Sequence, residues 1–196
     1  MDNKNIRLQY MYLGTSLFSC LCVMTNSYMI LCCNIVGLMC LFDCYFINKK
    51  EMLLHHILVL DMLHYLNNHL DIRNEIVSAI LSTEISTIFL VTNNLLDISS
   101  NMIFINKILF FYTFIYYRIY NYSYYLILNK DTHNILYIYS RNNFELCEIY
   151  IGIYGLFLLN LYWSCLILKK ITDLLLFNFR IYYYNIQKII FFNILW

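Results

Sequence analysis

The sequence predicts an all-α membrane protein, a helical bundle of about six transmembrane helices around a central pocket. Three observations predict this class. The 196 residues are 61% hydrophobic and only 13% charged, whereas soluble domains carry about 25% charged residues. The chain has no proline and only 4 glycines, so its apolar runs are hardly interrupted. A soluble domain of this length could not bury so much apolar surface, and lipid is therefore the expected surrounding of most of the chain.

Apolar runs of the length of a membrane helix, about 20 residues, give the expected elements in chain order. The expected spans are 8–24, 28–47, 53–68, 75–96, 103–128 and 149–168. The third is short and polar for a helix that faces lipid, so we expect the other helices to shield it. Between the last two spans, 129–147 is expected to be the longest loop, too short to fold alone. The predicted organisation is an N-terminal segment with the first span (1–29), a membrane domain (30–170) and a C-terminal tail (171–196).

Both ends of the chain carry features of their own. No small-residue cleavage motif follows the first apolar run, so we expect it to be a retained span rather than a signal peptide. The tail 174–196, "LLLFNFRIYYYNIQKIIFFNILW", is rich in aromatic residues. Its Arg180, Tyr182–Tyr184 and Lys188 favour an interfacial helix, with a tilted seventh span as the alternative.

The distribution of Lys and Arg predicts the orientation. If the six spans are correct, nine of the 13 basic residues lie on the side of the N-terminus, three lie on the other side, and Arg118 lies inside a span. Basic residues are enriched on the cytosolic side of membrane proteins. The bias predicts two cytosolic termini and an even number of spans. The net charge of +1 gives no argument for nucleic acid, and none is expected as a partner.

The eight cysteines do not suggest a disulfide framework or a zinc site. Seven lie inside apolar runs and only Cys147 borders a loop. We expect them to pack as small hydrophobic side chains. The patterns "CLC" and "CC" lack the ligand spacing of zinc sites.

Ionisable residues inside the spans are the candidates for function, because such groups are costly in lipid unless they face a cavity or a partner. The candidates are Asp43, His55, His56, Asp61, His64, Glu84 and Arg118. One interpretation is a central polar cavity that they line. The other is a set of buried ion pairs that fix helix registry, for example Glu84 with Arg118.

The stretch "EMLLHHILVLDMLHYL" (51–66) concentrates histidines in one span. His56 and His64 are eight residues apart, about 12 Å along a helix, so they cannot bind one metal ion. The adjacent His55 and His56 point about 100° apart. We therefore expect no metal site here. Acid–base chemistry fits a histidine better, since its pKa lies near neutrality.

The fourth span has two polar faces. Ser78, Ser82, Ser86 and Asn93 share one face of the helix, and Glu84 lies on the opposite one. We expect the serine face to pack closely on a neighbouring helix while Glu84 faces the cavity. The alternative is a protonated Glu84 that is only hydrogen-bonded.

Motifs in five of the expected spans follow one another in the order of a known family. They are "LFD" with Asp43, "HH" at His55–His56, "EISTIFL" with Glu84 and Ser86, "FIYYRI" with Phe114 and Arg118, and "LNLYW" with Asn160 and Trp163. Over about residues 30–170 the chain resembles the TLC family, which includes ceramide synthases. The resemblance implies a bundle around a pocket for an acyl chain. The residues expected to line or brace that pocket are Asp43, His55, His56, Asp61, His64, Glu84, Ser86, Arg118, Asn160 and Trp163.

The resemblance also bears on activity. In ceramide synthases the paired histidines serve acyl transfer from acyl-CoA to the amine of a sphingoid base. Those enzymes carry His-Asp-x-x-Asp in the next span, where this chain has Thr83-Glu84-Ile85-Ser86-Thr87. The departure is similar to TLC members that are not established as ceramide synthases.

The sequence therefore predicts a multi-pass protein of the endoplasmic reticulum or a related membrane that binds or regulates membrane lipids, without a cofactor and without ceramide synthase activity. One alternative is a lipid N-acyltransferase, with His55 and His56 as catalytic residues and acyl-CoA as co-substrate. Another is a trafficking or translocation-associated protein.

Overall fold

A computed structural model describes residues 3–46, 49–69, 74–95 and 100–194. Every regular element in these ranges is helical, which confirms the all-α class. We number seven helices in this part of the chain. They are α1 (Asn3–Thr25), α2 (Met29–Phe46), α3 (Lys50–Asn68), α4 (Asn74–Leu81, continued by a 3₁₀ turn at Ser82–Glu84 and by Ile85–Leu95), α5 (Ser100–Thr113, continued by π-helical turns at Phe114–Asn121 and Ser123–Leu128), α6 (Lys130–Tyr139) and α7 (Asn143–Ile194).

The first five predicted spans overlap α1–α5 in order, and the sixth, 149–168, is a part of the longer helix α7. By length and composition, Met102–Leu128 of α5 and Asn143–Asp173 of α7 are long and apolar enough to cross a membrane. Met29–Tyr45 and Ile76–Thr92 are shorter apolar helices. In each of the two long helices, an apolar stretch of 18 residues is mostly exposed: 17% of it is buried in α5 and 28% in α7. These helices therefore expose apolar surface, as membrane helices do. The number of crossings stays a prediction.

The expected loop over 129–147 is wrong, because α6 occupies Lys130–Tyr139. The side chain of Asn129 caps this helix by accepting a hydrogen bond of 3.0 Å from the backbone N–H of Asp131. Asparagine is among the best N-cap residues. Thr132 and Leu136, four residues apart, form the buried face of the helix.

The tight connection between α1 and α2 needs no glycine. Asn26 has a φ of 51° directly after the last residue of α1. Asparagine tolerates this left-handed conformation better than most residues and often ends a helix in this way. The chain then reverses within three residues and enters α2.

The first compact unit of the chain covers Met1–Leu161. In it α1 packs on α2 and on the second half of α4, and α2 packs on α3. The helix α7 approaches α3 where it has glycines: a Cβ at Gly152 would lie 2.8 Å from Met62 Sδ, and a Cβ at Gly155 would lie 2.9 Å from Leu58 Cδ1. Small residues let membrane helices pack at such short range.

The second compact unit covers Tyr162–Trp196. Its backbone continues as helix to Ile194. The tail side chains that favoured an interfacial helix, those of Arg180, Tyr182–Tyr184 and Lys188, lie outside the described residues. The choice between an interfacial helix and a seventh span therefore stays a prediction.

The cysteines are unpaired thiols. Cys22, Cys32, Cys33 and Cys40 are buried in the apolar core, as expected of small hydrophobic side chains. Cys147 and Cys165 are exposed.

Candidate functional site

A small cavity lies among α2, α3, α4, α5 and α7. Its polar lining consists of His55, Thr83, Glu84, Arg118 and Asn160, together with the hydroxyl-bearing Tyr122. Aliphatic side chains such as Val59, Leu63 and Leu156 form the rest of the wall. The cavity volume is about 20 Å³, which holds about one water molecule. The cavity thus has polar side chains set in a mainly apolar wall, and it is far smaller than an acyl chain.

Arg118 connects α5 to α4 at this cavity and is only 7% exposed. Its Nε donates to the Thr83 carbonyl at 3.1 Å and to Ser86 Oγ at 2.8 Å. Its Nη2 donates to Thr87 Oγ1 at 3.1 Å. The guanidinium carbon also lies 5.3 Å from the centre of the Phe114 ring, within the range of a cation–π contact. The positive charge of Arg118 is therefore stabilised by one carbonyl group, two hydroxyl groups and the Phe114 ring.

The backbone is irregular on both sides of this contact. Thr83 belongs to the 3₁₀ turn of α4, and Arg118 belongs to the π-helical part of α5. The Thr83 carbonyl accepts from Ser86 Oγ as well as from Arg118. Irregular backbone at membrane depth is tolerated where protein groups satisfy it, and π-helical turns are frequent at functional sites. The sequence contains no proline or glycine here that could have predicted the irregularity.

One polar face of α4 packs against α5, and the other lies at the cavity. Ser82 and Ser86 are buried and hydrogen-bond to Asn121 and Arg118 of α5, whereas Glu84 lines the cavity. This is the arrangement expected of the serine face and of Glu84; the side chain of Asn93 lies outside the described residues. The suggested Glu84–Arg118 ion pair is not among the salt bridges of the described part of the chain.

The adjacent histidines separate, as their angular offset predicts. His55 lines the cavity. His56 is buried, and its Nδ1 lies 3.5 Å from Asp43 Oδ2. The other oxygen of Asp43 accepts a hydrogen bond from the hydroxyl of Tyr12. His56, Asp43 and Tyr12 therefore connect α3, α2 and α1, while His55 is the member of the pair at the cavity.

Of the ten residues predicted for the pocket, four line the cavity: His55, Glu84, Arg118 and Asn160. Asp43, His56 and Ser86 lie behind its wall in the contacts described above, and the other three lie elsewhere. Asp61 and His64 line a different cleft, between α3 and α7, with a volume of about 160 Å³. Trp163 belongs to the second compact unit. Asp61 and His64 were grouped with the cavity because they share a span with His55. Helical periodicity separates them: positions 55, 59 and 63 face the cavity, and positions 61, 64, 65 and 68 face the cleft.

Several residues that hold these polar groups were not predicted. Tyr12 contacts Asp43, Thr83 and Thr87 contact Arg118, and His69 Nε2 lies 3.0 Å from Glu145 Oε1. Tyrosine and threonine are too frequent in apolar helices to signal such roles. Within the described residues, no three His, Cys, Asp or Glu side chains come together as a metal site would require.

The profile of the TLC domain matches residues 9–169. The chain belongs to the TLC-domain family. The match begins inside α1 and includes the whole of the first unit from that point, so it covers the cavity and the motifs that suggested the family. Searches of curated proteins and of solved structures found no match to this TLC-domain protein. Family membership and the apolar helices α5 and α7 are consistent with a membrane protein.

Proposed function

We propose that this TLC-domain protein is a multi-pass membrane protein of the endoplasmic reticulum or a related membrane that binds or regulates a membrane lipid, without ceramide synthase activity. The observation that carries the proposal is the cavity inside the region matched by the TLC domain, whose mainly apolar wall carries charged and amide groups. Charged and amide groups on an apolar wall suit an amphiphile, because they can orient its polar end while aliphatic side chains contact its chain.

Lipid binding requires the cavity to open. At about 20 Å³ the space does not admit an acyl chain, and aliphatic side chains that line it include Leu63, Leu81 and Leu156. These side chains must move when a chain enters. A lipid that binds only the open arrangement shifts the population toward it, so the closed arrangement is compatible with a protein that samples or regulates lipid.

The absence of ceramide synthase activity is proposed from the residues that replace the enzyme motif. Thr83, Glu84 and Thr87 stand where ceramide synthases have His-Asp-x-x-Asp, and Thr83 and Thr87 hold Arg118. His56, the second histidine, faces Asp43. Thr83 and Thr87 thus offer no acid or base in place of the motif, and His56 is not among the residues that line the cavity.

A second candidate function is supported by His55. It lines the cavity together with Glu84, where a histidine can accept a proton from an attacking amine. In this candidate the protein is a lipid N-acyltransferase that takes acyl-CoA from the cytosolic side.

Feeding a labelled sphingoid base to cells that lack endogenous ceramide synthases separates the two candidates. The cells express the wild type or the His55→Ala/His56→Ala variant at matched levels. We expect no labelled ceramide above the empty-vector level from either protein. Labelled ceramide from the wild type alone would contradict the proposed function and establish the acyltransferase.

Lipid that co-purifies with the protein tests binding directly. Val59 lines the cavity, and the larger side chain of Val59→Phe would occupy its space. We expect this variant to reduce the amount of lipid that mass spectrometry detects per mole of protein. Ile57→Phe is the matched control, since Ile57 is exposed on the same helix. Glu84→Gln, which keeps the size of the side chain, tests the polar end and also reduces retention. Wild-type retention by both Val59→Phe and Glu84→Gln would refute lipid binding at this cavity.

A further inference from the structure

A single line of exposed side chains runs along the second half of α5. Tyrosines spaced four residues apart form it, and we call them the tyrosine ridge: Tyr112, Tyr116, Tyr120 and Tyr124. These residues are 41% to 64% exposed. From Tyr112 onward, the other exposed position of the helix is Leu128, at the end of the same line. This half of α5 therefore presents a narrow row of aromatic rings.

The rings of the tyrosine ridge stack on one another. The distances between the centres of successive rings are 6.2 Å, 5.7 Å and 6.3 Å, and the angles between their planes do not exceed 27°. Aromatic pairs attract each other at such distances. Because each ring supports the next, the ridge is ordered before a partner binds, and binding costs little side-chain entropy.

The irregular backbone of α5 helps to keep these side chains on one side of the helix. The four-residue spacing begins at the exposed Phe104 and Ile108, in the α-helical part. An α-helical turn holds 3.6 residues, so a four-residue repeat drifts around an α-helix. The π-helical turns that begin at Phe114 are wider, and the repeat drifts around them in the opposite sense. The two drifts oppose each other, so one partner can contact the whole ridge.

The hydroxyl groups of the tyrosine ridge would have no partner in lipid. The structure gives none of them a hydrogen bond within the described residues. Tyr112 and Tyr124 lie roughly 15 Å or more apart along the helix, whereas each interfacial layer of a bilayer is only about 5–7 Å thick. If α5 crosses the membrane as proposed, one interface cannot hold the whole ridge. Polar groups in hydrocarbon are costly unless another protein group satisfies them.

We propose that the tyrosine ridge binds the tyrosine ridge of a second copy of this chain within the membrane. A phenolic hydroxyl both donates and accepts a hydrogen bond, so the ridge is complementary to itself. A twofold axis beside α5 would bring the same surface of two copies together, as in most homodimers. Rows of side chains four residues apart pack into the grooves of a facing helix, and hydrogen bonds between polar side chains hold membrane helices together.

The same features argue against a single lipid as the occupant. A sterol has one hydroxyl and would satisfy one member of the ridge, whereas a second copy offers a hydroxyl for each. The ridge also carries no charged side chain that would repel its copy. The proposal rests on α5 crossing the membrane, but it does not depend on the central cavity, because no member of the ridge lines that cavity.

The first test measures association of the purified full chain in phosphatidylcholine vesicles. Energy transfer between donor-labelled and acceptor-labelled copies is followed as the protein-to-lipid ratio rises, and we expect it to saturate. Tyr116→Phe/Tyr120→Phe keeps the rings and removes two hydroxyls, and we expect it to weaken the association about tenfold. Tyr116→Ala/Tyr120→Ala removes the rings as well and weakens it further.

A matched control removes hydroxyls elsewhere. Tyr10→Phe/Tyr137→Phe changes two exposed tyrosines, of α1 and of α6, and should keep the wild-type association. Because every one of these positions is exposed, we expect the unfolding temperature of each variant to stay at the wild-type value. This measurement separates weaker association from a damaged fold.

A photo-reactive benzophenone amino acid at position 120 identifies the occupant of the ridge. Vesicles contain isotope-labelled and unlabelled chains in equal amounts, and mass spectrometry reads the cross-linked products. We expect peptides that join the α5 segments of a labelled and an unlabelled chain. The same amino acid at position 10 should give no such peptides.

Four results would overturn the proposal. Energy transfer without saturation, or wild-type association of Tyr116→Ala/Tyr120→Ala, would show that the ridge does not join two copies. Products with lipid alone would make lipid the occupant, and products with residues 174–196 of the same chain would make the tail the occupant. Products with neither lipid nor peptide would place the ridge in water and would also contradict the crossing of α5. None of these results concerns the central cavity, which Val59→Phe tests separately.

Discussion

At the residue scale, the buried charges of this TLC-domain protein are held in two different ways. Arg118 donates to two hydroxyls and a carbonyl. Asp43 lies between His56 and Tyr12. The sequence pointed to Arg118 and Asp43 because an ionisable group in an apolar run needs a partner. It could not predict the partners, since serine, threonine and tyrosine occur throughout these helices.

The contacts of Arg118 predict that its side chain contributes to stability. Arg118→Ala removes the donor to Ser86 Oγ and Thr87 Oγ1 and one of the two donors to the Thr83 carbonyl, and an unsatisfied buried group costs about 1–3 kcal/mol. We expect the free energy of unfolding to fall by about 3 kcal/mol, and a calibrated denaturant titration in micelles measures it. Arg118→Lys restores only part of the loss, because an ammonium cannot reproduce the planar fork. Lys107→Ala, at an exposed position of the same helix, should have little effect; an equal loss there would contradict this role.

A double-mutant cycle measures the Asp43–His56 contact. We expect Asp43→Ala and His56→Ala to be non-additive, with a coupling of about 0.5–3 kcal/mol, as for residues in direct contact. The reason is that Asp43→Ala leaves the buried His56 without its neighbouring carboxylate, whereas His56→Ala leaves Asp43 with the Tyr12 hydroxyl alone. The control cycle pairs Asp43→Ala with His64→Ala, because His64 lies at the other cleft. Equal coupling in the two cycles would show that the 3.5 Å approach of His56 to Asp43 carries no specific energy.

At the scale of helices, long apolar runs were predicted well and irregular backbone was not. The ends of α2 and α3 lie within a few residues of the predicted spans, because apolar length decides where these helices form. The 3₁₀ turn in α4 and the π-helical turns in α5 depend on contacts between the two helices. Such contacts join residues that are distant in sequence, so the pattern of hydropathy along the chain does not predict them.

The helix α6 gives a prediction about its cap. Asn129→Ala removes the side chain that accepts from the Asp131 N–H, and loss of a good N-cap costs about 1 kcal/mol. We expect faster amide hydrogen exchange over 130–139, measured by mass spectrometry. Asn134→Ala is the matched control: Asn134 is exposed within the same helix, where alanine favours helix formation. Faster exchange in Asn134→Ala, or none in Asn129→Ala, would show that the cap does not hold this helix.

At the scale of the whole molecule, the sequence predicted the all-α class and the family, whereas the size of the pocket needed the structure. The cavity volume depends on how side chains from several helices pack together, and the side chains that line this cavity leave only about 20 Å³. Composition predicts that the helices face lipid, and the exposed side chains agree with this prediction. Side chains such as Phe104, Ile105 and Ile108 of α5 are about half exposed, which water would not favour over so large an area.

Topology is the prediction that belongs to the whole chain. Basic residues concentrate on the side of the N-terminus, so both termini should be cytosolic and the connection between α6 and α7, residues 140–142, should lie on the opposite side. Short glycosylation tags can be placed at either terminus, between α2 and α3, or at 140–142. In the endoplasmic reticulum we expect glycosylation of the 140–142 tag alone, seen as a shift in gel mobility that a glycosidase reverses. Modification of one terminal tag but not the other would mean an odd number of crossings. Modification of both terminal tags would mean the reverse orientation, in which the positive charges would not set the insertion of this chain.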